Sequence, residues 1–365
     1  MSRKLNLAFA LILFSFIPLL AESANDSIKA RSSLFIIPNA SYQQETSVAF
    51  GLAGGYYFKS KDISRISSIA GSAYYTLLNQ FMFNITPKFF LKNGKYYVYS
   101  NLNVQNYPDF YYGIGNTPTQ LKQSYISQKI NLSIQPQYAV TKDFYVGGIL
   151  SFLNEQVKTD SIFNNNKDEI FSKYGTAGWT PYHLFTLGVT AMYDTRDNHF
   201  YPYEGFFAKT TFEISHSRFL SSYSLQQFSL DVRQFIPLFE NHVFAWQAYA
   251  KGSFSNGDIP FQLLPTIGGR DVGRGFRSGM YRNNLLLSGQ TEYRIPIYKR
   301  LKAAAFLTAG DVLGGDHYKI DKLKVTYGAG LRFRLNDARV HLRVDFAKNN
   351  YGDKLQFYIT ASEAF

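Results

Sequence analysis

Leu323-Lys324-Val325-Thr326-Tyr327-Gly328-Ala329-Gly330-Leu331-Arg332-Phe333-Arg334-Leu335 alternates without a break. Leu323, Val325, Tyr327, Ala329, Leu331, Phe333 and Leu335 take one parity. Lys324, Thr326, Gly328, Gly330, Arg332 and Arg334 take the other, and Lys322 extends that series by a fourth cation. A period of two is what a pleated strand needs to present one greasy and one wet face. The last residues repeat the pattern, with Leu355, Phe357, Ile359 and Ala361 set against Lys354, Gln356, Tyr358 and Thr360. A soluble sandwich alternates too, but its strands run about 5 to 6 residues, and these are longer. The chain also carries 28 Tyr, 33 Phe and no Cys. A cation on the lipid face near the bilayer midplane costs about 2 to 4 kcal/mol, so strict alternation belongs to a membrane barrel wall.

The N-terminus supplies the address. Arg3 and Lys4 precede an uncharged, largely apolar run from Leu7 to Leu20, followed by the small residues Ala21, Ser23 and Ala24. This reads as a secretory signal peptide over residues 1–24, because the run is too short for a helix crossing about 30 Å of hydrocarbon. A short segment, 25–32, then leads into a barrel domain, 33–365, with no linker or second domain. Export plus a barrel predicts the outer membrane of a Gram-negative cell, and a chain without thiols cannot mispair on the way. The net charge of +12 is spread along strands and rims. It implies contact with membrane lipid and lipopolysaccharide, and no nucleic acid, for want of a basic tail or recognition helix.

Strands are expected near residues 33–41, 47–58, 64–77, 80–91, 95–106, 124–140, 143–157 and 183–194. A second set is expected near 205–217, 222–236, 240–254, 284–297, 300–312, 322–335, 338–348 and 354–365. The fold class is therefore all-β, a 16-stranded antiparallel transmembrane barrel, the even count that a single-chain bacterial barrel requires. Short connections such as Asn93-Gly94, Thr141-Lys142 and Asn336-Asp337 leave even strands, and the long ones, 107–123, 158–182, 255–283 and 313–321, leave odd ones. Short turns are periplasmic in such barrels, which puts both termini on that side. The alternation that runs through Phe357 and Ile359 to Phe365 reads as a C-terminal assembly signal.

Two motifs narrow the function. Asp194, Thr195, Arg196, Asp197 and Asn198, followed by Pro202 and Gly205, end one strand and begin the next. Asp and Asn side chains satisfy the backbone of such a turn. The long loop later carries Gly273, Arg274, Gly275 and Phe276. In order and spacing, these strings and the terminal Phe resemble the BamA/TamA superfamily of outer-membrane insertases and translocases, in a short form without POTRA domains. The resemblance is clearest from Tyr193 to Phe365. It implies that the Arg-Gly-Phe tip folds back into the lumen and pairs with carboxylates of the inner wall.

Parity supports that placement independently. Glu292 shares its face with Asn284, Ser288, Gln290 and Arg294, opposite Leu285, Leu287, Tyr293 and Ile295, so it points inward. The planar fork of Arg274 suits a carboxylate through two parallel bonds, and the flanking glycines allow a sharp turn. The family adds an inward Asp on the next strand, and that seat holds Thr308 here. Asp345, inward with His341 and Arg343, is the candidate replacement. Gly273 stands where the family prefers a branched apolar residue.

By resemblance, such a barrel assists outer-membrane protein insertion or moves a polypeptide or lipid across the membrane. Its expected partners are client barrels or a periplasmic protein, and it is expected to be monomeric. The alternative is a passive pore or structural protein, favouring anions through Lys302, Arg332, Arg334 and Arg343. An enzyme is not expected, nor a cofactor or metal. His183, His199, His216, His242, His317 and His341 lack metal-ligand spacing, and no nucleophile elbow is present.

Overall fold

The computed structural model describes residues 32–43, 47–58, 65–117, 123–159, 177–315, 318–361 and 363–365. The expected signal peptide, most of the 25–32 segment and His317 lie outside them. Sixteen strands form one antiparallel sheet in chain order. They are β1 (Ser33–Gln43), β2 (Ser47–Phe58), β3 (Ser67–Thr76), β4 (Phe81–Leu91), β5 (Tyr96–Tyr111), β6 (Gln123–Ala139), β7 (Phe144–Thr159) and β8 (Tyr182–Asp194). The sheet continues through β9 (Gly205–Ser215), β10 (Leu225–Pro237) and β11 (Val243–Phe254). After a long loop it resumes with β14 (Leu285–Tyr298), β15 (Leu301–Leu313), β16 (Lys324–Arg334), β17 (His341–Asn349) and β18 (Gln356–Thr360). Inside that loop, β12 (Thr266–Ile267) and β13 (Tyr281–Arg282) form a small hairpin of their own.

The sheet is a transmembrane barrel wall, and its faces sort as the alternation requires. Leu34, Ile36, Leu52, Leu187, Val189 and Leu331 are exposed on the outer face. Glu292, Arg294, Arg332, Arg343 and Asp345 are buried on the inner one. Buried aromatic clusters stand inside the bore at both ends. Phe90, Tyr97, Tyr145, Met192 and Phe207 gather at the short-turn end, and Tyr111, Tyr125, Trp179 and Phe261 at the long-loop end.

The structure departs from the sequence reading at the C-terminus. A strand was expected over 354–365, yet β18 spans only Gln356–Thr360 and pairs with β17 from Arg343↔Thr360 to Ala347↔Gln356. Phe357 and Ile359 face outward, but Phe365 is only 3% exposed and packs inside against Phe235, Val243, Ala245 and Ala364. Buried partners draw the end inward. Arg332 Nε donates to Glu363 Oε2 at 2.9 Å and Arg294 Nη2 to the Phe365 carbonyl at 3.2 Å. Among the described residues, no pairing joins β18 to β1.

Candidate functional site: a glycine-rich finger inside the wall

The loop from Ser255 to Asn284 folds back into the bore. Ile267, Phe276 and Tyr281 from the loop join Leu286 and Val312 of the wall in one buried cluster, which gives the finger its apolar anchor. Its backbone is then fastened to three strands, β14, β17 and β18. Gln290 Nε2 donates to the Asp271 carbonyl at 3.0 Å, Arg343 Nη2 to that of Arg270 at 2.8 Å, and Asn349 Nδ2 to that of Gly275 at 2.8 Å. The Gly275 N–H donates to the Tyr358 hydroxyl at 3.0 Å, and that hydroxyl donates to the Phe276 carbonyl at 3.3 Å.

Two glycines make this approach feasible. Gly275 sits at φ +120°, and a Cβ there would lie 2.7 Å from the Lys348 carbonyl oxygen, against the wall itself. Gly273 sits at φ +77°, and its Cβ would meet Ile267 Cγ1 at 2.8 Å. The space and backbone conformation therefore exclude a branched residue at Gly273, because Ile267 already fills that site.

Arg274 is fully buried and lies flat over Phe306, with its guanidinium carbon 3.6 Å from the ring centroid. Its Nη1 bridges two carboxylates, Glu292 Oε2 at 3.0 Å and Asp345 Oδ2 at 2.7 Å. The expected pair of parallel bonds to one carboxylate is replaced by this bridge. The reason is competition, since Glu292 Oε1 accepts from Arg294 Nε at 2.8 Å and Asp345 Oδ1 from Arg332 Nη1 at 2.6 Å. Arg332 also reaches Glu292 Oε2 at 3.1 Å, so one guanidinium serves three carboxylates. Thr308 is buried and inward but outside this network. Its hydroxyl donates to Gln290 Oε1, its cross-strand partner, at 3.2 Å, because a short side chain reaches no further.

Arg332 and Arg343 thus face carboxylates and finger backbone, and Lys302 is hydrogen-bonded to the Tyr203 hydroxyl. Sequence reasoning missed Glu363, whose parity along an extended last strand would face lipid, and Tyr358, whose role depends on where the finger lands.

The turn motif lies between β8 and β9. Asp197 Oδ1 accepts from the N–H groups of Tyr203 at 2.9 Å and Glu204 at 3.3 Å, and Asn198 Oδ1 from those of Phe200 and Tyr201 at 2.8 and 2.9 Å. Asp194 holds Arg196 through two bonds, at 2.9 and 2.8 Å. Thr195 exchanges bonds with Phe206, just beyond Gly205 at the start of β9, and the Pro202 carbonyl accepts from Arg294 Nη1 at 3.4 Å.

A barrel wall with an arginine-tipped loop tied to its inner carboxylates defines a class of outer-membrane protein. The description of the Omp85 superfamily domain matches residues 65–365, and the chain belongs to that superfamily. It is similar to the structure of BamA from Haemophilus ducreyi lacking POTRA domains 1–3, with TM-score 0.58 and 14% identity over 90% of this chain and 70% of that one. It is also similar to CdiB from Acinetobacter baumannii, with TM-score 0.55 and 13% identity over 90% of this chain, which spans only 59% of that one. CdiB from Escherichia coli gives 0.54 and 12%, over 90% and 61%. No curated protein sequence matches the chain. Membership makes this a Gram-negative outer-membrane barrel of the insertion or translocation class, a class whose members contact membrane lipids and protein clients or partners. Such barrels are generally transporters or assembly factors rather than enzymes.

Proposed function

We propose that this chain assists the insertion of other β-barrels into the outer membrane by offering its own seam as a template. The observation that carries this reading is the pair of strand edges, β1 and β18, between which the described residues form no ladder. An unpaired edge presents a row of backbone donors and acceptors to which an incoming strand adds. The finger supports the reading as a brace. Arg274, Glu292 and Asp345 lock it to β14 and β17, and Tyr358 ties its tip to the seam strand β18. Movement of a polypeptide or lipid along the same seam is the related activity of this class. In this reading the barrel works as a monomer, and a periplasmic partner delivers its clients.

The test is the folding rate of a small client barrel into liposomes that contain the purified chain. Acceleration is expected with the native protein. It should be lost when a disulfide engineered between β1 and β18 closes the seam and recover on reduction, an experiment made clean by the absence of native cysteine. Equal rates with empty and loaded liposomes would overturn the proposal.

A further inference from the structure

The turn between β8 and β9 does more than reverse the chain. Its residues reach the wall on both sides of the bore. Toward the N-terminal strands, His199 packs tilted against Phe90 of β4 at 5.5 Å and Phe200 meets Tyr57 of β2 edge-on at 4.8 Å. Toward the opposite strands, Tyr201 lies on His341 of β17 at 4.1 Å, and the Pro202 carbonyl accepts from Arg294 of β14. Asn198 Nδ2 donates to the Ala338 carbonyl at 3.2 Å, and Asp197 Oδ2 pairs with Arg339 at 2.5 Å, both in the β16–β17 turn. Since β8 and β14–β17 are far apart in the strand order, one connection crosses the whole short-turn mouth.

Beneath it, Phe90, Tyr97, Tyr145, Met192 and Phe207 form a continuous apolar layer from inward positions at the ends of β4, β5, β7, β8 and β9. Arg65 clamps this layer from the β2–β3 side. Its Nη2 donates to the Asp194 carbonyl at 2.7 Å, the Lys142 carbonyl at 3.2 Å and Asp143 Oδ1 at 3.2 Å, while its guanidinium lies 5.2 Å from the Tyr145 ring. At the other end, Trp179 and Phe261 pack on Tyr111 and Tyr125 across the long-loop mouth. Between these two apolar layers the inner wall is polar and half-buried, with Asn84, Asn101, Asn103, Gln105, Ser133 and Gln135 among its inward positions. The finger with its ionic lock occupies the β14–β18 side and leaves this side to amides, hydroxyls and a few charged side chains, among them Lys88, Lys129, Glu155 and Lys209, whose Nζ donates to Gln135 Oε1 at 2.8 Å.

We propose that the β8–β9 turn is a gate at the short-turn end, and that it closes a water-filled compartment for small hydrophilic solutes in the β3–β9 half of the bore. Arg65 and Arg339 are its latches. A layer of packed apolar side chains excludes water, a polar wall holds it, and a turn pinned at one end by the Arg65 bond to the Asp194 carbonyl and at the other by the Asp197–Arg339 ion pair can release as a unit. The inference is independent of seam-templated insertion, because it concerns the bore and not the edge strands.

The test is thiol labelling in micelles, for which the chain supplies a cysteine-free background. Asn103→Cys reports from the compartment, and Glu240→Cys, at an exposed short turn, sets the open rate. A small charged methanethiosulfonate should modify Asn103→Cys at least ten times more slowly than Glu240→Cys. Adding Arg65→Ala and Arg339→Ala should bring it within about threefold of the open rate, while a 2-kDa maleimide stays slow on the folded, heat-modifiable barrel. If the double variant does not fold, Phe200→Ala loosens the same turn without touching either latch. Rapid modification of Asn103→Cys in the otherwise native chain, or slow modification after the turn is loosened, would overturn the proposal.

Discussion

At the scale of single residues, the lock is governed by the cost of an unpaired charge. Arg274, Arg332, Glu292 and Asp345 are all buried, and replacing one partner of such a group leaves the others without compensation, at about 3 to 5 kcal/mol. Arg274→Ala should therefore cut the fraction of heat-modifiable barrel seen on cold gel electrophoresis, and Glu292→Ala should do the same. Normal folding of both variants would mean the network is dispensable. Arg332→Lys is expected to behave like a deletion, since an ammonium cannot reach three separate carboxylates from one planar fork. His199, in the turn across the mouth, follows different logic. Burial holds its imidazole below the usual histidine range despite the carboxylate of Asp194 at 3.0 Å, and the cations Arg196 and Arg65 push the same way. A depressed histidine contributes stability that is complete above its unfolded value near 6.5 and is lost as pH falls toward the folded value. The native barrel should thus lose more thermal stability between pH 7.5 and 5 than His199→Phe does, and identical pH profiles would refute the assignment.

At the scale of elements, β18 is the shortest strand of the sheet, with five residues paired to β17. The finger compensates through Tyr358, whose hydroxyl both accepts from Gly275 and donates to Phe276. Tyr358→Phe removes those bonds, each of which contributes about 1 kcal/mol. Amide exchange across Gln356–Thr360 should accelerate several-fold while β14 and β15 stay protected. Unchanged exchange would show that finger and seam strand are uncoupled. Most element boundaries were legible in the sequence because one face of every strand answers to lipid, as Leu323 to Leu335 already makes plain. The last strand was not. Its parity is correct for Phe357 and Ile359, but the inward turn to Phe365 depends on Arg294 and Arg332, which lie on other strands. Likewise Glu292 and Asp345 could be placed inward by parity alone, whereas Thr308 could not be separated from the lock without knowing that Gln290 stands opposite it.

For the whole molecule, the decisive fact is that inside and outside exchange at every residue. Leu132 and Ser133 are neighbours in the middle of β6, yet Leu132 is exposed toward the lipid and Ser133 faces the polar half of the bore. A lysine placed on each samples the two environments with the same backbone, the same strand and the same depth. On the lipid face the charge must leave water, at about 2 to 4 kcal/mol near the midplane. In the bore it joins amides and solvent, and a substitution away from any specific contact changes stability by about 0.5 kcal/mol or less. Urea unfolding from liposomes, followed by intrinsic tryptophan fluorescence, should therefore shift its midpoint strongly for Leu132→Lys and hardly at all for Ser133→Lys. Equal shifts would mean that the wall has no lipid face at this depth. Because that face also fixes which side of the wall meets the bilayer, the proposal that the seam templates a strand into the membrane requires this difference.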